Sequence, residues 1–206
     1  MWLGNIIYEN REIEGELLEL KAEADRLIYL GPNLTLRRCT VVIRAPASRL
    51  LISQTRFIDC TIEVKQELKN KSWTCASLKG CRIKGRLTGC DFGPWRDSTE
   101  GWEHGAVEDC DFSEARLDGC RFHGCDIRTL RFPRWPSFTI LDPIGRSREL
   151  LSVKWPGRSE LLAKGLDTEP PSTVAVTDHA PSNTKRWGAT EEELRAVLEK
   201  FDRIVM

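Results

Sequence analysis

The sequence lacks an excess of charge of either sign. Its 206 residues contain 31 Lys and Arg and 31 Asp and Glu, so the formal net charge at pH 7 is zero. Proteins that bind polyanions are usually basic, and a protein that imitates DNA over its whole surface is strongly acidic. The balance argues against both classes. Hydrophobic residues make up 40% of the chain, which excludes a wholly disordered protein.

Several other signals are missing. No apolar run approaches the roughly 18 residues that a membrane-spanning helix needs, so we expect no membrane association. The first residues have no basic segment followed by a long apolar stretch, which predicts a cytoplasmic protein with reduced thiols. No Gly-x-Ser-x-Gly, Walker or Gly-x-Gly-x-x-Gly motif occurs, so we expect no enzyme activity and no cofactor.

The eight cysteines contain no Cys-x-x-Cys pair, so we expect no metal site. Most of them begin a triplet of a small, a polar and a large apolar residue, such as Cys39-Thr40-Val41. Their positions follow one another at multiples of about five residues: Cys39, Cys60, Cys81, Cys90, Cys110, Cys120 and Cys125. We interpret them as small buried side chains of a repeat.

Large apolar residues show the same period. From Val107 to Phe132 they recur at every fifth position, which fits neither a helix nor a strand but suits a solenoid with four short sides and about twenty residues per coil. We expect four inward columns of stacked side chains. The columns are Leu36, Phe57, Leu78 and Leu117, with an empty slot near position 97; Val41, Ile62, Ile83 and Phe122, with Trp102 near the empty slot; Leu87, Val107 and Ile127; and Ile52, Trp73, Phe92, Phe112 and Phe132.

This pattern resembles the pentapeptide-repeat family, whose repeat is A-[DN]-[LF]-x-x, over residues 34–132 and most clearly over 105–132. The resemblance implies a mainly β protein, a right-handed quadrilateral β-helix. The sequence departs from the family in preferring Cys to Ala and in earlier coils that are often one position longer than four repeats. Residues 63–74 and 93–106 interrupt the pattern, and we expect them to be loops that bulge from the stack before the register resumes.

The domain organisation predicted is a solenoid over residues 1–143, including an N-terminal cap, and a helical C-terminal extension over 144–206 with an irregular linker at 167–188. Thr190 and Glu193 form a capping box at the start of the last helix. The apolar stripe of that helix either packs on this chain or mediates a homodimer.

Candidate chemistry is sparse. Asp91 and Asp111 are expected to stack as outward neighbours, with Arg131 next in line, and we interpret them as a polar surface ladder. A catalytic carboxylate pair, as in β-helical carbohydrate-active enzymes, is the weaker interpretation. His123 occupies an outward repeat position and is expected to be solvated.

The charges are unevenly distributed along the chain. Residues 31–90 carry twelve Lys or Arg against three Asp or Glu, and residues 91–126 carry three against ten, so their net charges are +9 and −7. Four arginines, predicted on two adjacent faces, form a candidate basic contact: Arg56, Arg82, Arg116 and Arg121. Without interleaved surface aromatics or a reading helix, nucleic acid is not the expected partner.

The interruption at 93–106 supplies the other candidate contact. Trp and Arg are the residues that dominate protein–protein hot spots. The candidate residues on this loop are Trp95, Arg96, Glu100, Trp102 and Glu103.

We therefore predict a non-enzymatic protein-binding module. By analogy with other uses of such scaffolds, the leading hypothesis is an immunity or antitoxin-type protein that binds and neutralises a toxin. The alternative, which the family resemblance implies, is a DNA mimic that binds topoisomerase; it calls for a C-terminal dimer and a long acidic surface, and the basic band at 31–90 counts against it. A β-helical carbohydrate-active enzyme is the third hypothesis.

Overall fold

The computed structural model describes residues 5–21, 26–96 and 100–206. The strands are β1 (Ile6–Tyr8), β2 (Arg11–Glu14), β3 (Leu17–Leu20), β4 (Ile28–Leu30), β5 (Leu34–Arg37), β6 (Thr40–Ile43), β7 (Leu50–Ile52), β8 (Thr55–Ile58), β9 (Thr61–Lys69), β10 (Ala76–Lys79), β11 (Arg82–Thr88), β12 (Asp91–Phe92), β13 (Ala106–Glu108), β14 (Asp111–Asp118), β15 (Cys120–His123), β16 (Ser137–Leu141), β17 (Thr173–His179) and β18 (Ile204–Val205). The α-helices are α1 (Pro143–Leu151), α2 (Glu160–Gly165), α3 (Ala180–Trp187) and α4 (Glu191–Leu198). Across these three ranges, no helix has the length and apolar character needed to span a membrane.

Strands β1 to β15 form a four-sided solenoid, because each strand pairs in parallel with the equivalent strand of the next coil. The first wall consists of β1, β4 and β7 and continues with β12 and β15. The second wall consists of β2, β5, β8, β10 and β13, and the third of β3, β6 and the first halves of β9, β11 and β14. The second halves of β9, β11 and β14 turn a corner and form the fourth wall. The mainly β, four-sided solenoid predicted from the repeat is confirmed.

The preference for cysteine at the small inward positions has a hydrogen-bonding reason. The buried thiols donate to backbone carbonyl groups of the preceding coil, which an alanine methyl group could not do. The Sγ of Cys60 lies 3.3 Å from the oxygen of Leu36, and the Sγ of Cys81 lies 3.4 Å from that of Phe57. Cys75 and Cys125 are partly exposed, and the other six are buried as expected.

The corner between the third and fourth walls requires a residue without a side chain in β11. Gly85 has a φ of +105°, and an added Cβ would lie 2.1 Å from the backbone oxygen of Val64 in the neighbouring strand. The pairing register of β11 with β9 shifts just after this residue. The bulge thus lets one strand serve two walls.

The early columns are confirmed, and the later residues lie on other walls than predicted, although Phe132 does follow Phe112 as expected. Leu36, Phe57 and Leu78 stack in register on the second wall, as predicted. The residue that follows Leu78 is Val107 and not Leu117, because the interruption after Phe92 makes this coil much longer than the coils before it.

The same long coil displaces every later column by two walls. Leu117 follows Leu87, and Phe122 follows Phe92. Phe112 therefore lies on the third wall instead of the first, and Phe132 follows it there beside the Asp111–Arg131 bridge.

One of the two predicted loops is a loop and the other is not. Residues 63–74 lie within the walls, since β9 runs without interruption from Thr61 to Lys69 and Ser72 bridges to Asp91. Residues 93–96 and 100–105 do leave the stack, and they include a short 3-10 helix at Trp102–His104. Positions 97–99 of this segment lie outside the described residues.

A smaller α/β module follows the solenoid. Strand β17 pairs antiparallel with β15, and β16 and β18 extend the same sheet. The irregular linker predicted at 167–188 is therefore wrong, because these residues include β17 and α3. The signal was missed because this strand finds its partners far away in the sequence, at β15 and β16.

The capping box at Thr190 and Glu193 is confirmed at the start of α4. Its apolar stripe packs within the chain: Leu194 and Leu198 are fully buried in a second core with Phe138 and Ile140. This core draws residues from both sides of the predicted boundary at 143/144, and that boundary itself stays a prediction.

Candidate functional site

Trp95 turns toward the protein instead of presenting its ring to a partner. Its ring stacks on His123 at 4.7 Å between ring centres, with the planes 16° apart. The guanidinium of Arg121 lies 5.0 Å from the centre of the same ring. Trp95 was predicted to contact a partner, but its ring instead covers His123 and Arg121 on the first wall.

The rest of the loop is more accessible. Arg96 is exposed and lies 5.1 Å from the centre of the half-buried Trp102 ring, which makes a cation–π contact. Glu100 and Glu103 are exposed, and the backbone oxygen of Glu100 accepts a hydrogen bond from Cys75. The residues of this loop that remain accessible for the predicted contact are therefore Arg96, the two glutamates and the half-buried Trp102.

The four candidate arginines do not form one patch on two adjacent faces, as the column map predicted. Arg56 lies on the second wall, where it donates to Thr35, and Arg82 on the third, near Glu114. Arg116 lies on the fourth wall and donates to Ser182, whereas Arg121 lies on the first. Each wall thus has one of them. The late-column register error placed Arg116 and Arg121 on the wrong walls.

Most of the charge imbalance between chain segments is compensated within the stack. The acidic first coil pairs with the basic second coil, as in Arg37 with Glu12 and Arg38 with Glu14. At the other end, Lys79 lies 3.1 Å from Glu108 and Lys84 lies 2.9 Å from Glu114. The bands of charge seen in the sequence are therefore largely used in ion pairs between adjacent coils. Each pair contributes little to the stability of the fold, because both of its groups are exposed.

Asp91 and Asp111 are not neighbours, so the carboxylate ladder predicted from the sequence is wrong. Asp91 lies on the first wall opposite Arg121, and Asp111 lies on the third wall between Arg82 and Arg131. The bridge between Asp111 and Arg131 agrees with the prediction for that pair. Because the two carboxylates are on different walls, they do not form the catalytic pair that the third hypothesis, a carbohydrate-active enzyme, requires.

The structure instead assembles a polar cluster that the sequence did not reveal, here called the His123 cluster: Asp91, Arg121, His123, Glu169 and Ser172. The Nε2 of His123 lies 3.3 Å from a carboxylate oxygen of Asp91, and its Nδ1 lies 3.2 Å from the hydroxyl of Ser172. The Nε of Arg121 donates to Asp91 at 2.7 Å, and another of its nitrogens lies 3.5 Å from Glu169. The cluster joins the last coil to the segment that leads into β17.

The expectation that His123 is solvated is wrong, since its side chain is fully buried beneath Trp95. Burial raises the pKa of Asp91, but the hydrogen bonds from His123 and Arg121 outweigh burial, so its pKa lies below the usual value. The Asp–His–Ser connectivity has the order of a hydrolase triad. The imidazole is closed off from any substrate, so this arrangement fastens the module to the solenoid.

A second feature missed from the sequence lies at the other end of the first wall. Ile7, Tyr29 and Leu51 are in register on adjacent strands and point outward, and Ile7 and Leu51 are each 44% exposed. We call these three residues the apolar strip. They line a groove of about 300 Å³ together with Leu27 and the polar side chains of Asn5 and Glu9. The signal available in the sequence was the recurrence of an apolar residue at the same outward position of three successive coils.

Comparisons with known proteins add little. The sequence matches no protein-family model and no curated protein. Among solved structures, the chain is similar to QnrB1, a plasmid-mediated fluoroquinolone resistance protein, with 13% sequence identity over 62% of this chain and 78% of that chain. The TM-score of 0.29 is too low for this likeness to support an argument about function. What the structure itself shows is that the chain is a β-solenoid with a C-terminal α/β module.

Proposed function

We propose that this protein is a non-enzymatic scaffold that binds another protein through the first wall. The observation that carries the proposal is the apolar strip. Outward positions of the stack are otherwise mostly polar, and three apolar side chains in register on a rigid wall are typical of a protein contact. Parallel pairing on both sides of β4 holds the strip rigid, so binding orders few side chains.

The charge around the strip indicates the chemistry of the partner. Residues 5–21 carry five Glu against one Arg and one Lys, a net charge of −3. Glu9 lines the groove itself, and neither Glu9 nor Glu16 belongs to an ion pair in the part of the chain that the structure describes. The partner that fits is a protein with an apolar patch bordered by basic residues.

A toxin that acts on nucleic acid has such a basic working surface, because it must bind phosphates. This supports the leading hypothesis, an immunity or antitoxin-type protein. The topoisomerase-binding DNA mimic calls for a continuous acidic wall, but acidic and basic side chains alternate along the second and third walls. We keep the topoisomerase-binding alternative as one outcome of the experiment described next.

The test begins with a photo-crosslinking amino acid at position 51, which identifies the partner in the native cell. Binding of the purified partner is then measured by calorimetry for Leu51→Glu and for Leu161→Glu. The two leucines are 44% and 42% exposed, but Leu161 lies in the C-terminal module, far along the chain from the strip. We expect Leu51→Glu to weaken binding about tenfold or more, since a buried leucine contributes about 1.5–3 kcal/mol. We expect Leu161→Glu to have little effect.

Three results would overturn parts of this proposal. Equal affinities of the two variants would remove the strip from the interface. Dimerisation of the protein alone, abolished by Leu51→Glu in sedimentation velocity, would make the occupant a second copy. A type II topoisomerase as the crosslinked partner, with protection of its supercoiling activity from a fluoroquinolone, would replace the toxin by the alternative.

A further inference from the structure

A cleft lies where the solenoid meets the C-terminal module, here called the junction cleft. It has a volume of about 260 Å³ between β15, β17, α2 and α3. Its polar side chains are Arg121, Glu169, Asp178, Asn183 and Arg186. No cysteine or histidine lines it, and its mixture of both charge signs with an amide distinguishes it from the apolar groove of the first wall.

Two buried polar atoms of this cleft have no hydrogen-bond partner of good geometry. Asn183 is only 6% exposed and its Nδ2 makes no hydrogen bond of good geometry, although Asn183 is near enough to Asp178 to lower the pKa of that carboxyl. The Oε2 of Glu169 is buried and accepts no hydrogen bond, and the nitrogen of Arg121 that faces it is 3.5 Å away. A buried polar atom that stays unsatisfied destabilises the fold. A fitting ligand therefore presents an acceptor to Asn183 and a donor to Glu169.

The charges of the cleft specify the donor further. Glu169 and Asp178 are close enough that the negative charge of Glu169 raises the pKa of Asp178. Arg121 is shared between Asp91, at 2.7 Å, and Glu169, at 3.5 Å, whereas Asp178 belongs to no ion pair within the described residues. A cation between the two carboxylates would remove their repulsion, and a primary ammonium group is both the cation and the donor required.

The mouth of the cleft favours an anionic group, whereas the two carboxylates inside it favour a cation. Arg186 is exposed on the last turn of α3 and belongs to no ion pair among residues 5–21, 26–96 and 100–206. A guanidinium group in this position suits a carboxylate. Between the charged groups, Leu166, Val176 and Trp187 line the cleft with apolar surface.

From these placements we infer that the junction cleft binds a free aliphatic α-amino acid. Its ammonium group lies between Glu169 and Asp178, its carboxylate reaches Arg186 and the amide of Asn183, and its side chain contacts the apolar lining. The volume is below the range of about 300–1,000 Å³ typical of drug-sized ligands, which suits a molecule of this size. The inference does not depend on the proposed function, which concerns the opposite end of the first wall.

The test is calorimetry on the full chain with L-valine, L-leucine and L-isoleucine, followed by two analogues of leucine. Isopentylamine lacks the carboxylate, and 4-methylpentanoate lacks the ammonium group. We expect saturable binding of at least one amino acid and at least a tenfold loss with each corresponding analogue. Trp187 lines the cleft, so ligand-induced change in tryptophan fluorescence gives a second readout.

Variants locate the binding. Asp178→Asn and Arg186→Gln should each weaken affinity at least tenfold, whereas Lys185→Gln, which alters an exposed neighbour outside the cleft lining, should not. A melting temperature no lower than that of the parent shows that each variant is folded. The inference is overturned if no amino acid binds below about 10 mM, or if 4-methylpentanoate binds as tightly as leucine. It is also overturned if Lys185→Gln has the same effect as Arg186→Gln.

Discussion

Asp178 gives the most direct test of the interface between the solenoid and the module. Its carboxylate accepts a hydrogen bond from the backbone of Gly119 at 3.1 Å, which ties β17 to the last coil. Burial raises the pKa of Asp178 from 3.8 to about 6, and the charges of Asp118 and Glu169 act in the same direction. Asn183 lowers the pKa of Asp178 but does not offset the effect of burial.

The sign of the effect on stability follows from proton binding. Between pH 4 and 6 the folded protein holds a proton on Asp178 that the unfolded chain has released, so stability from this group falls as the pH rises. Above pH 6 the side chain is ionised in both states and the full penalty applies. A rise of about two pKa units corresponds to about 3 kcal/mol.

The substitution Asp178→Asn removes the charge and keeps both the shape and an oxygen that can accept from Gly119. We expect the variant to be more stable than the parent by up to about 3 kcal/mol at pH 7.5, and the difference to vanish near pH 3.5. Urea unfolding followed by circular dichroism from pH 3.5 to 8 measures this. Asp167→Asn, at an exposed residue nearby, is the control. Parallel pH profiles for parent and Asp178→Asn would refute the reasoning.

Three further predictions, which use four substitutions, test the packing. Gly85→Ala places a Cβ 2.1 Å from a backbone oxygen at a φ of +105° and should cost more than about 2 kcal/mol of unfolding free energy, whereas Gly165→Ala, with open space around the Cβ, should be neutral or stabilising by about 0.5–1 kcal/mol. Equal urea midpoints for these two would contradict the bulge. Phe92→Leu removes three ring contacts, at 5.2, 5.2 and 5.9 Å, and should cost about 1–3 kcal/mol in the same assay; a cost near zero would contradict the aromatic stack. Trp95→Ala uncovers His123 and should lower the melting temperature measurably, and an unchanged value would show that the ring does not fasten the loop.

The sequence was sufficient to predict the solenoid because the repeat has a direct physical meaning. An inward apolar residue in each short wall recurs with the coil, so Leu36, Phe57 and Leu78 had to stack once the period was known. The cysteines were assigned to the core on the same ground. Their role as donors to carbonyl groups of the preceding coil required the structure, because it depends on the separation of adjacent coils.

The predicted pairing register is wrong across the loop that begins after Phe92. A period of five tells which residues point inward but not how many coils an insertion occupies. Counting the insertion as part of an ordinary coil left an empty slot near position 97 between Leu78 and Leu117, whereas the lengthened coil puts Val107 directly after Leu78. Every later outward residue moved with it, which is why Asp91 faces Arg121 and not Asp111.

The His123 cluster and the junction cleft were inaccessible to pattern reasoning for a different reason. His123 and Ser172 are 49 residues apart in the sequence. They are brought together by the antiparallel pairing of β15 with β17, which no repeat in the sequence predicts. His123 occupies a position that would be solvated if the solenoid simply ended there. It is buried because the loop folds Trp95 over it.

The two ends of the stack bear on the proposal that a partner binds the first wall and not an end. At the C-terminal end, β17 covers β15 with antiparallel hydrogen bonds, so another parallel coil cannot be added on that wall. At the other end, β1, β2 and β3 are the outer strands of their sheets in the part of the chain described. Glu12 and Glu14 lie along β2 and pair with Arg37 and Arg38 of the next coil, and charged side chains along an edge strand oppose its pairing with another strand. End-to-end stacking is thus disfavoured at both ends, which supports the proposal that a partner binds the apolar strip on the side of the stack.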